Sequence, residues 1–530
     1  MLFILLPTLL ALGAAYHYLR KPHPLSSIPT PSTTHFLFGN ALELDANGLT
    51  HYYATLRQRG LGPVYRIRLL FLTLVVVNDL VLTRQILLGI DPDDQNARPK
   101  AGKALAFDRP SLHTLLMATM LGGDSIIGAN GDTWRSRRTT LVPLFQPRVI
   151  VPKLLPLVVQ RMDELVRGLR VLEAVEVDEL FTRFTLSVIL GYIFGDPLPA
   201  AVADVTRMRE LYRPFLPEMG RLAMRIGLFG PVGGWVGGTM RRARDELKRR
   251  IGEAVDECLR VFREEGEERP VPLVVELTRQ PMYDSRVKES RKRLIDDIVA
   301  LLFAGHDTTA HTLSFTLHHI ATIPGLQSTL LAESLSVLGP LPSNDTPSEP
   351  PTSAQLSCLT HTTATIRETL RLYPISPIIN VSAQHTATRL SDHVLPLGTV
   401  VHVDIRGLAR DPCLFANPEA FQPERWLETR ALAREGRWIR GPGCRRPPRR
   451  SQAPEFGFGL GLHACLGKNL AMLEARCAVA WLVRAFVLQE GRVGAVVEPD
   501  YSGTIAVPKG GVWIKFEKQD LSEHHVIHEP

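Results

Sequence analysis

The stretch from Phe456 to Ala471, FGFGLGLHACLGKNLA, constrains this chain more than any other. Glycines 457, 459, 461 and 467 surround one cysteine, Cys465. Glycine lets a backbone approach another group closely, and the segment then runs directly into a helical pattern. At a helix N-terminus the dipole and the free N–H groups favour thiolate over thiol, which is what a metal-ligating sulfur requires. The spacing therefore predicts a lowered thiol pKa at Cys465 and a sulfur aimed at a metal. For Cys258, Cys358, Cys413, Cys444 and Cys477 no such setting exists, and an ordinary structural cysteine is the reading.

The six cysteines are sparse and irregular and form no C-x-x-C pair, which argues against zinc and against a disulfide framework. Lys plus Arg is 61 and Asp plus Glu is 54, a formal charge of +7. That mild excess has no dense basic stripe interleaved with aromatics, so nucleic acid is not an expected partner. It suits an acidic protein partner or an anionic membrane surface.

Met1 to Leu19 carry no charged side chain and are mostly apolar, then Arg20-Lys21 follow. The run is close to the roughly 20 residues a membrane helix needs. Its positive charges come after it, which places the bulk of the chain on the cytoplasmic side and argues against a cleaved signal peptide. Pro22, Pro24, Pro29 and Pro31 read as a hinge. The expected organisation is a transmembrane anchor at 1–21, a proline-rich hinge at 22–34, one large domain at 35–518 and a polar tail at 519–530.

Within the domain, Val64 to Ile67 and Leu72 to Val77 read as strands, and Asp132 to about Phe145 as a helix. Met240 to Glu265 reads as a charged surface helix. Arg293 to Ile323 is the longest well-patterned apolar helix, stopped by Pro324-Gly325. Leu359 to Leu372 and Cys465 to about Phe486 are further helices, and Val394 to Val403 reads as strands around a turn at Gly398. Leu341 to Ala354 and the Arg- and Pro-rich Gly441 to Ala453 read as loops. The fold class is mainly α with small β-sheets.

Phe458, Gly461, His463, Cys465 and Gly467 fit F-x-x-G-x-[HR]-x-C-x-G, which resembles the haem-binding loop of cytochromes P450. Three further segments carry the same resemblance. Ala304-Gly305-His306-Asp307-Thr308-Thr309, inside the long helix, resembles the family's oxygen-activation motif, with Asp307 as acid and Thr308 as alcohol. Glu368-Thr369-Leu370-Arg371, with Phe421-Gln422-Pro423-Glu424-Arg425-Trp426, resembles its E-x-x-R helix and F-x-P-E-R-W segment, where Glu368, Arg371 and Arg425 form a structural ion-pair network. Trp134-Arg135-Ser136-Arg137-Arg138 resembles its W-x-x-x-R, where Trp134 and Arg138 reach a haem propionate.

The resemblance covers nearly the whole chain. It implies a cytochrome P450-like single large helical domain behind an N-terminal membrane helix, of the eukaryotic anchored type, with a fungal biosynthetic enzyme as the natural setting. It implies haem b held by Cys465, whose thiolate pushes electron density toward iron and favours O–O cleavage. It also implies a monooxygenase of lipophilic molecules such as secondary metabolites, terpenoids, steroids or fatty acyl chains. The expected electron donor is NADPH-cytochrome P450 reductase, with cytochrome b5 as a second candidate. The expected location is the endoplasmic reticulum membrane, single-pass, with a cytoplasmic catalytic domain. No G-x-G-x-x-G fingerprint follows a strand, so an in-chain reductase is not expected.

Two rivals are a haem-thiolate isomerase or dehydratase that needs no O₂, which the Asp307-Thr308 pair argues against, and a non-catalytic haem or lipid binder. The family's usual arginine or histidine after Tyr373-Pro374 is missing; Asn380 lies near that place. Leu302, Phe303, Ile375, Ile378 and Ile505 are candidate pocket residues. Arg135, Arg137, Lys468 and the Arg445–Arg450 cluster are a candidate docking face.

Overall fold

The structure, a computed structural model, describes residues 24–520 except 33–34, 36–37, 46–47, 71, 90–106, 124, 170–172, 230–235, 267–269, 343–345, 385–387 and 428–454. The apolar run at 1–21, the Arg- and Pro-rich loop with Cys444 and the Arg445–Arg450 cluster, and the last residues of the tail lie outside these. Among the described residues no single helix is long and apolar enough to cross a membrane.

The chain is mostly helical with small sheets. Strands β1 (Val64–Leu69) and β2 (Leu72–Val77) form an antiparallel pair in the predicted places. Their sheet also takes in β3 (Phe107–Asp108), β5 (Ile378–Ala383) and β8 (Val400–Asp404) in the order β1-β2-β8-β5-β3. The run LTLVVV suits β2 because it lies between two neighbours, parallel to β8 and antiparallel to β1. Elsewhere β4 (Ala174–Glu176), β12 (Trp513–Lys518) and β9 (Phe486–Glu490) make a second sheet. Two short antiparallel pairs complete the set among the described residues: β6 (Thr388–Leu390) with β7 (His393–Leu395), and β10 (Pro499–Asp500) with β11 (Val507–Pro508). The strands expected around a turn at Gly398 are present, and each pairs with another neighbour rather than with the other. β7 folds back on β6, β8 goes to the large sheet, and Gly398, at φ 79°, donates its N–H to Ala383.

The longer helices near the site are α1 (Gly48–Gln58), α2 (Leu80–Leu88), α3 (Ser111–Leu121), α4 (Gly131–Leu141), α5 (Pro147–Gly168), α6 (Val177–Phe194), α7 (Val205–Tyr212) and α8 (Gly238–Glu265). They continue as α9 (Lys288–Gly305), α10 (Asp307–Thr322), α11 (Leu326–Leu338), α12 (Thr360–Leu372) and α13 (Lys468–Ala485). Local chemistry sets their ends. Asp79 caps α2 by accepting the Leu82 N–H, and Glu176 caps α6 by accepting from Asp178 and Glu179.

The apolar helix expected over Arg293–Ile323 is two helices that meet at His306. Gly305 is a poor helix former. The Thr308 hydroxyl donates to the Ala304 carbonyl at 2.8 Å, and Thr185 of α6 donates to the His306 carbonyl at 3.0 Å. Side-chain donors competing for main-chain acceptors bend a helix at such a point.

Among the described residues, three clusters of buried apolar side chains hold the molecule together. The largest fills the helical body and includes the walls of α6, α9, α10 and α13. A second joins Leu25 and Ile28 to the large sheet and to Trp426 and Phe456. A third, with Tyr53, Leu56, Tyr65 and Ile67, seals α1 against β1 and β2. Leu25 and Ile28 are 3% and 1% exposed, and the Arg66 N–H donates to the Pro29 carbonyl, so the proline-rich segment is packed on the body at 25–29.

Candidate active site

The cysteine loop is shaped by its glycines. Gly461 sits at φ 73°, and a Cβ there would lie 1.8 Å from the Leu87 carbonyl at the end of α2. A Cβ on Gly457 would meet Leu370 of α12 at 2.9 Å. Only glycine lets the loop press onto both helices. Cys465 N–H then closes the loop on the Phe458 carbonyl at 2.8 Å, and α13 begins at Lys468.

Cys465 is a free thiol that retains accessible surface although protein encloses it, as expected of a sulfur opening into an internal space. Its pKa departs from the sequence expectation. Burial is the larger influence and pushes the thiol up, while the Gly467 and Lys468 N–H groups and the charges of Arg138 and Lys468 pull it down. The helix terminus works in the expected direction and is outweighed by desolvation.

Trp134 and Arg138 project from α4 one turn apart, as their spacing predicts. Trp134 is 3% exposed, its ring centroid lies 4.0 Å from that of His463, and its Nε1–H has no hydrogen-bond acceptor among the described residues. His463 Nε2 lies 2.9 Å from Asp108 Oδ1. Arg138 has no carboxylate partner among the described residues, and its charge is felt at Cys465.

Sequence reasoning missed Arg109. It follows β3, holds the Ile126 and Ala129 carbonyls through Nη1, and burial, partly offset by Asp108 and reinforced by Arg138, lowers it to about 10. Its charge also reaches His463. The register Asp108↔Ser382 puts the end of β3 beside β5, the strand that carries Asn380. No local motif marks Arg109; only the pairing of strands distant in sequence brings it in. Asn380 itself is exposed.

An indole N–H, two guanidinium groups and an imidazole thus gather near a helix-terminal sulfur with one carboxylate, Asp108, among them. A buried N–H without an acceptor is costly. This donor set fits a ligand that brings its own carboxylates and a metal for the sulfur, and haem is such a group.

On α9 and α10, Asp307 Oδ1 lies 3.2 Å from His306 Nε2. The other ring nitrogen, Nδ1, is 2.6 Å from the Leu302 carbonyl. Ala304 is exposed although the run Asp296–Leu302 just before it is buried, so the wall beside the break also borders open space. Leu302 is fully buried in the main core and does not line it. Phe303 packs on Phe215, with ring centroids 5.9 Å apart.

Glu368 is fully buried and accepts five hydrogen bonds: two from Arg371 at 2.9 and 2.8 Å, one from Arg425 at 3.0 Å, one from the Trp426 indole at 2.9 Å and one from the Gln422 backbone at 2.8 Å. Arg371 spends its remaining donors on the Ala409, Pro418 and Ala420 carbonyls. The network ties α12 to the segment ending at Trp426 and takes no part in the sulfur site.

The expected docking face does not survive as drawn. Arg137 is 1% exposed and pairs with Asp297 at 3.0 Å. Its position three residues after Trp134 puts it on the inner side of α4, where the sequence alone gave no sign of the acid on α9.

The family model for cytochrome P450 matches residues 29–516. Among curated relatives, the chain is similar to human 25-hydroxyvitamin D-1 alpha hydroxylase, mitochondrial, at 26% identity over 94% of each chain. It is similar to the protein LUTEIN DEFICIENT 5, chloroplastic, of Arabidopsis thaliana at 26% identity, over 77% of this chain and 66% of that one. Cyclooctat-9-en-7-ol 5-monooxygenase of Streptomyces melanosporofaciens is 30% identical over 47% of this chain and 48% of its own. With the match running through sulfur loop, broken helix and Glu368 network alike, the chain belongs to the cytochrome P450 family and is a haem-thiolate monooxygenase.

Proposed function

We propose that the protein hydroxylates or otherwise oxidises a lipophilic molecule of terpenoid, steroid, secondary-metabolite or fatty acyl type, using O₂ and electrons from NADPH-cytochrome P450 reductase, with cytochrome b5 as an auxiliary donor. The observation that carries this reading is the free Cys465 sulfur just before α13, with His463 of its own loop and Trp134 and Arg138 from a distant part of the chain gathered near it. Haem b, when bound through that sulfur, supplies the activation of dioxygen. The chain's own residues do the rest. Phe458, Gly461 and Gly467 shape the loop. Trp134 Nε1–H, Arg138 and His463 bind the propionates, and Arg109 takes the place of the contact missing at Asn380. Asp307 and Thr308 hold and pass the proton that oxygen activation consumes. The relatives' names point to steroid- and terpenoid-like substrates, and the aromatic and aliphatic surfaces of Phe303 and Ile505 suit such molecules.

In this reading residues 1–21 anchor the chain in the endoplasmic reticulum membrane, 22–34 lead into a catalytic domain that ends near 518 on the cytoplasmic side, and 519–530 form a tail. Deleting 1–21 is expected to release the protein from microsomes; retention after deletion would remove the anchor from the picture. The decisive measurement is the carbon monoxide difference spectrum of the dithionite-reduced protein beside Cys465→Ala. A strongly red-shifted Soret band that vanishes in the variant supports the reading. Its absence from folded, haem-loaded wild-type protein would overturn it.

A further inference from the structure

The acid of the oxygen-activation motif must be resupplied with a proton after every turnover, and the structure holds a second acid–histidine couple one helical turn away. His311 lies four residues after Asp307 on α10, so both occupy one face of that helix. The ring is 3% exposed. Its Nδ1 lies 2.7 Å from Asp178 Oδ1, at the start of α6, and its Nε2 has no hydrogen-bond partner among the described residues. A buried, unpartnered nitrogen costs stability unless something uses it.

Asp178 is held in place by the Ser314 hydroxyl at 2.9 Å and retains 16% side-chain exposure. Its neighbour Glu179 pairs with Arg183 of α6 and with Arg209 of α7, on the outer side of the same helix start. Asp178 thus sits against His311 from the start of α6, while Asp307 and Thr308 lie one turn before His311 on α10.

We propose that the Asp178–His311 pair is the inlet of the proton path, and that His311 is the residue that reprotonates Asp307. This rests on the monooxygenase reading above. The imidazolium, with Nδ1–H on Asp178, gives its Nε2 proton to the Asp307 carboxylate, directly or through one water. After the transfer the ring still carries Nδ1–H on Asp178, so the vacated nitrogen is recharged when the ring turns over, takes one proton brought from solvent at Asp178, and turns back. One proton moves per delivery, and no other bond changes. The charged groups facing the ring are Asp178 at the start of α6, Glu176 at the end of β4 and Asp307 on α10 itself. Burial alone depresses the imidazole, but the charge of and bond from Asp178, then Asp307 and Glu176, outweigh it and leave His311 above its ordinary value. A histidine charged near neutral pH is what a donor in this position needs.

The test uses full-length, haem-loaded protein with ¹⁵N-labelled histidine in its reduced, carbon monoxide-bound form. The His311 ring is expected to titrate above the ordinary histidine value of about 6.5 and to drop below it in Asp178→Asn. A ring that titrates the same in both proteins overturns the pairing. In turnover, His311→Gln keeps a polar side chain at the site but cannot titrate. It is expected to lower product formed per NADPH about tenfold, the low end of proton-transfer contributions because water can substitute. The solvent isotope effect should rise and the carbon monoxide spectrum stay unchanged. A variant that loses thermal stability but retains the wild-type isotope effect and pH profile per folded haem shows a purely structural couple and overturns the proposal. Loss of the thiolate carbon monoxide band in the wild type would instead sink the monooxygenase reading, which separates the two failures.

Discussion

Trp134 and Arg138 matter at the scale of single atoms: each carries donors that the described protein does not satisfy. A neutral hydrogen bond contributes about 1 kcal/mol and one with a charged partner about 1.5–3 kcal/mol. Trp134→Phe, which removes only the N–H, is therefore expected to speed haem loss several-fold, and Arg138→Leu by about ten- to a hundredfold. Transfer of haem to an excess of an acceptor protein measures both. Arg109→Leu is the more telling variant, because nothing local in the sequence marks that residue. If it supplies the contact missing at Asn380, it should resemble Arg138→Leu and Asn380→Ala should behave as wild type.

At the scale of elements, the loops and helices around the sulfur are fixed by two devices. Gly461→Ala places a Cβ against the Leu87 carbonyl at a positive φ, so the loop or α2 must move. Gly131, at φ 56°, has nothing within 4 Å of its Cβ position, and Gly131→Ala serves as the control with a cost of about 1 kcal/mol from backbone strain alone. Urea unfolding should rank Gly461→Ala well below Gly131→Ala. The second device is the Glu368 network. Arg371→Ala leaves a fully buried carboxylate short of its main partner and is expected to destabilise by about 3–5 kcal/mol.

These elements also show what the sequence could and could not disclose. Motif spacing located the sulfur loop, the Trp134–Arg138 turn and the Glu368–Arg371 pair, because each is local or lies on one helical face. The break at His306 falls at the defect that Gly305, Thr308 and Thr309 make in the helical pattern, but its full depth was not legible, because the Thr185 donor comes from a different helix. Arg137 looked like part of a basic surface because its acid, Asp297, lies far along the chain. The upward push of burial on the free thiol was not legible because burial depends on the whole fold rather than on the helix that follows Cys465.

For the whole molecule, acid stability follows from histidines buried in the neutral form. Burial lowers His113 and His402 to about 4 and His319 to about 3. In the unfolded chain each takes up a proton near pH 6.5. Their folded values are depressed, so the stability they confer is present above about 6.5 and is lost as the pH falls through about 4 to 3. Each contributes a slope of up to about 1.4 kcal/mol per pH unit in that window. His311 has the opposite sign: its stabilisation is full below about 6.5 and fades as the pH rises through its elevated folded value. Urea midpoints between pH 4 and 6.5 should fall with acid, and less steeply in His402→Gln.

The division of the core into separate apolar clusters carries one more consequence. Phe456 packs into the cluster around the large sheet, while Phe458, two residues on, packs against the helical body. The sulfur loop is therefore the seam between two regions that can open at different free energies, as cooperative units do in native-state hydrogen exchange. A ligand bound at that seam stitches the two units into one by mass action. Amides of β2, β5 and β8 should exchange at nearly the global rate in the haem-loaded protein. In the apoprotein they should exchange through an earlier, partial opening that leaves α6 and α10 protected.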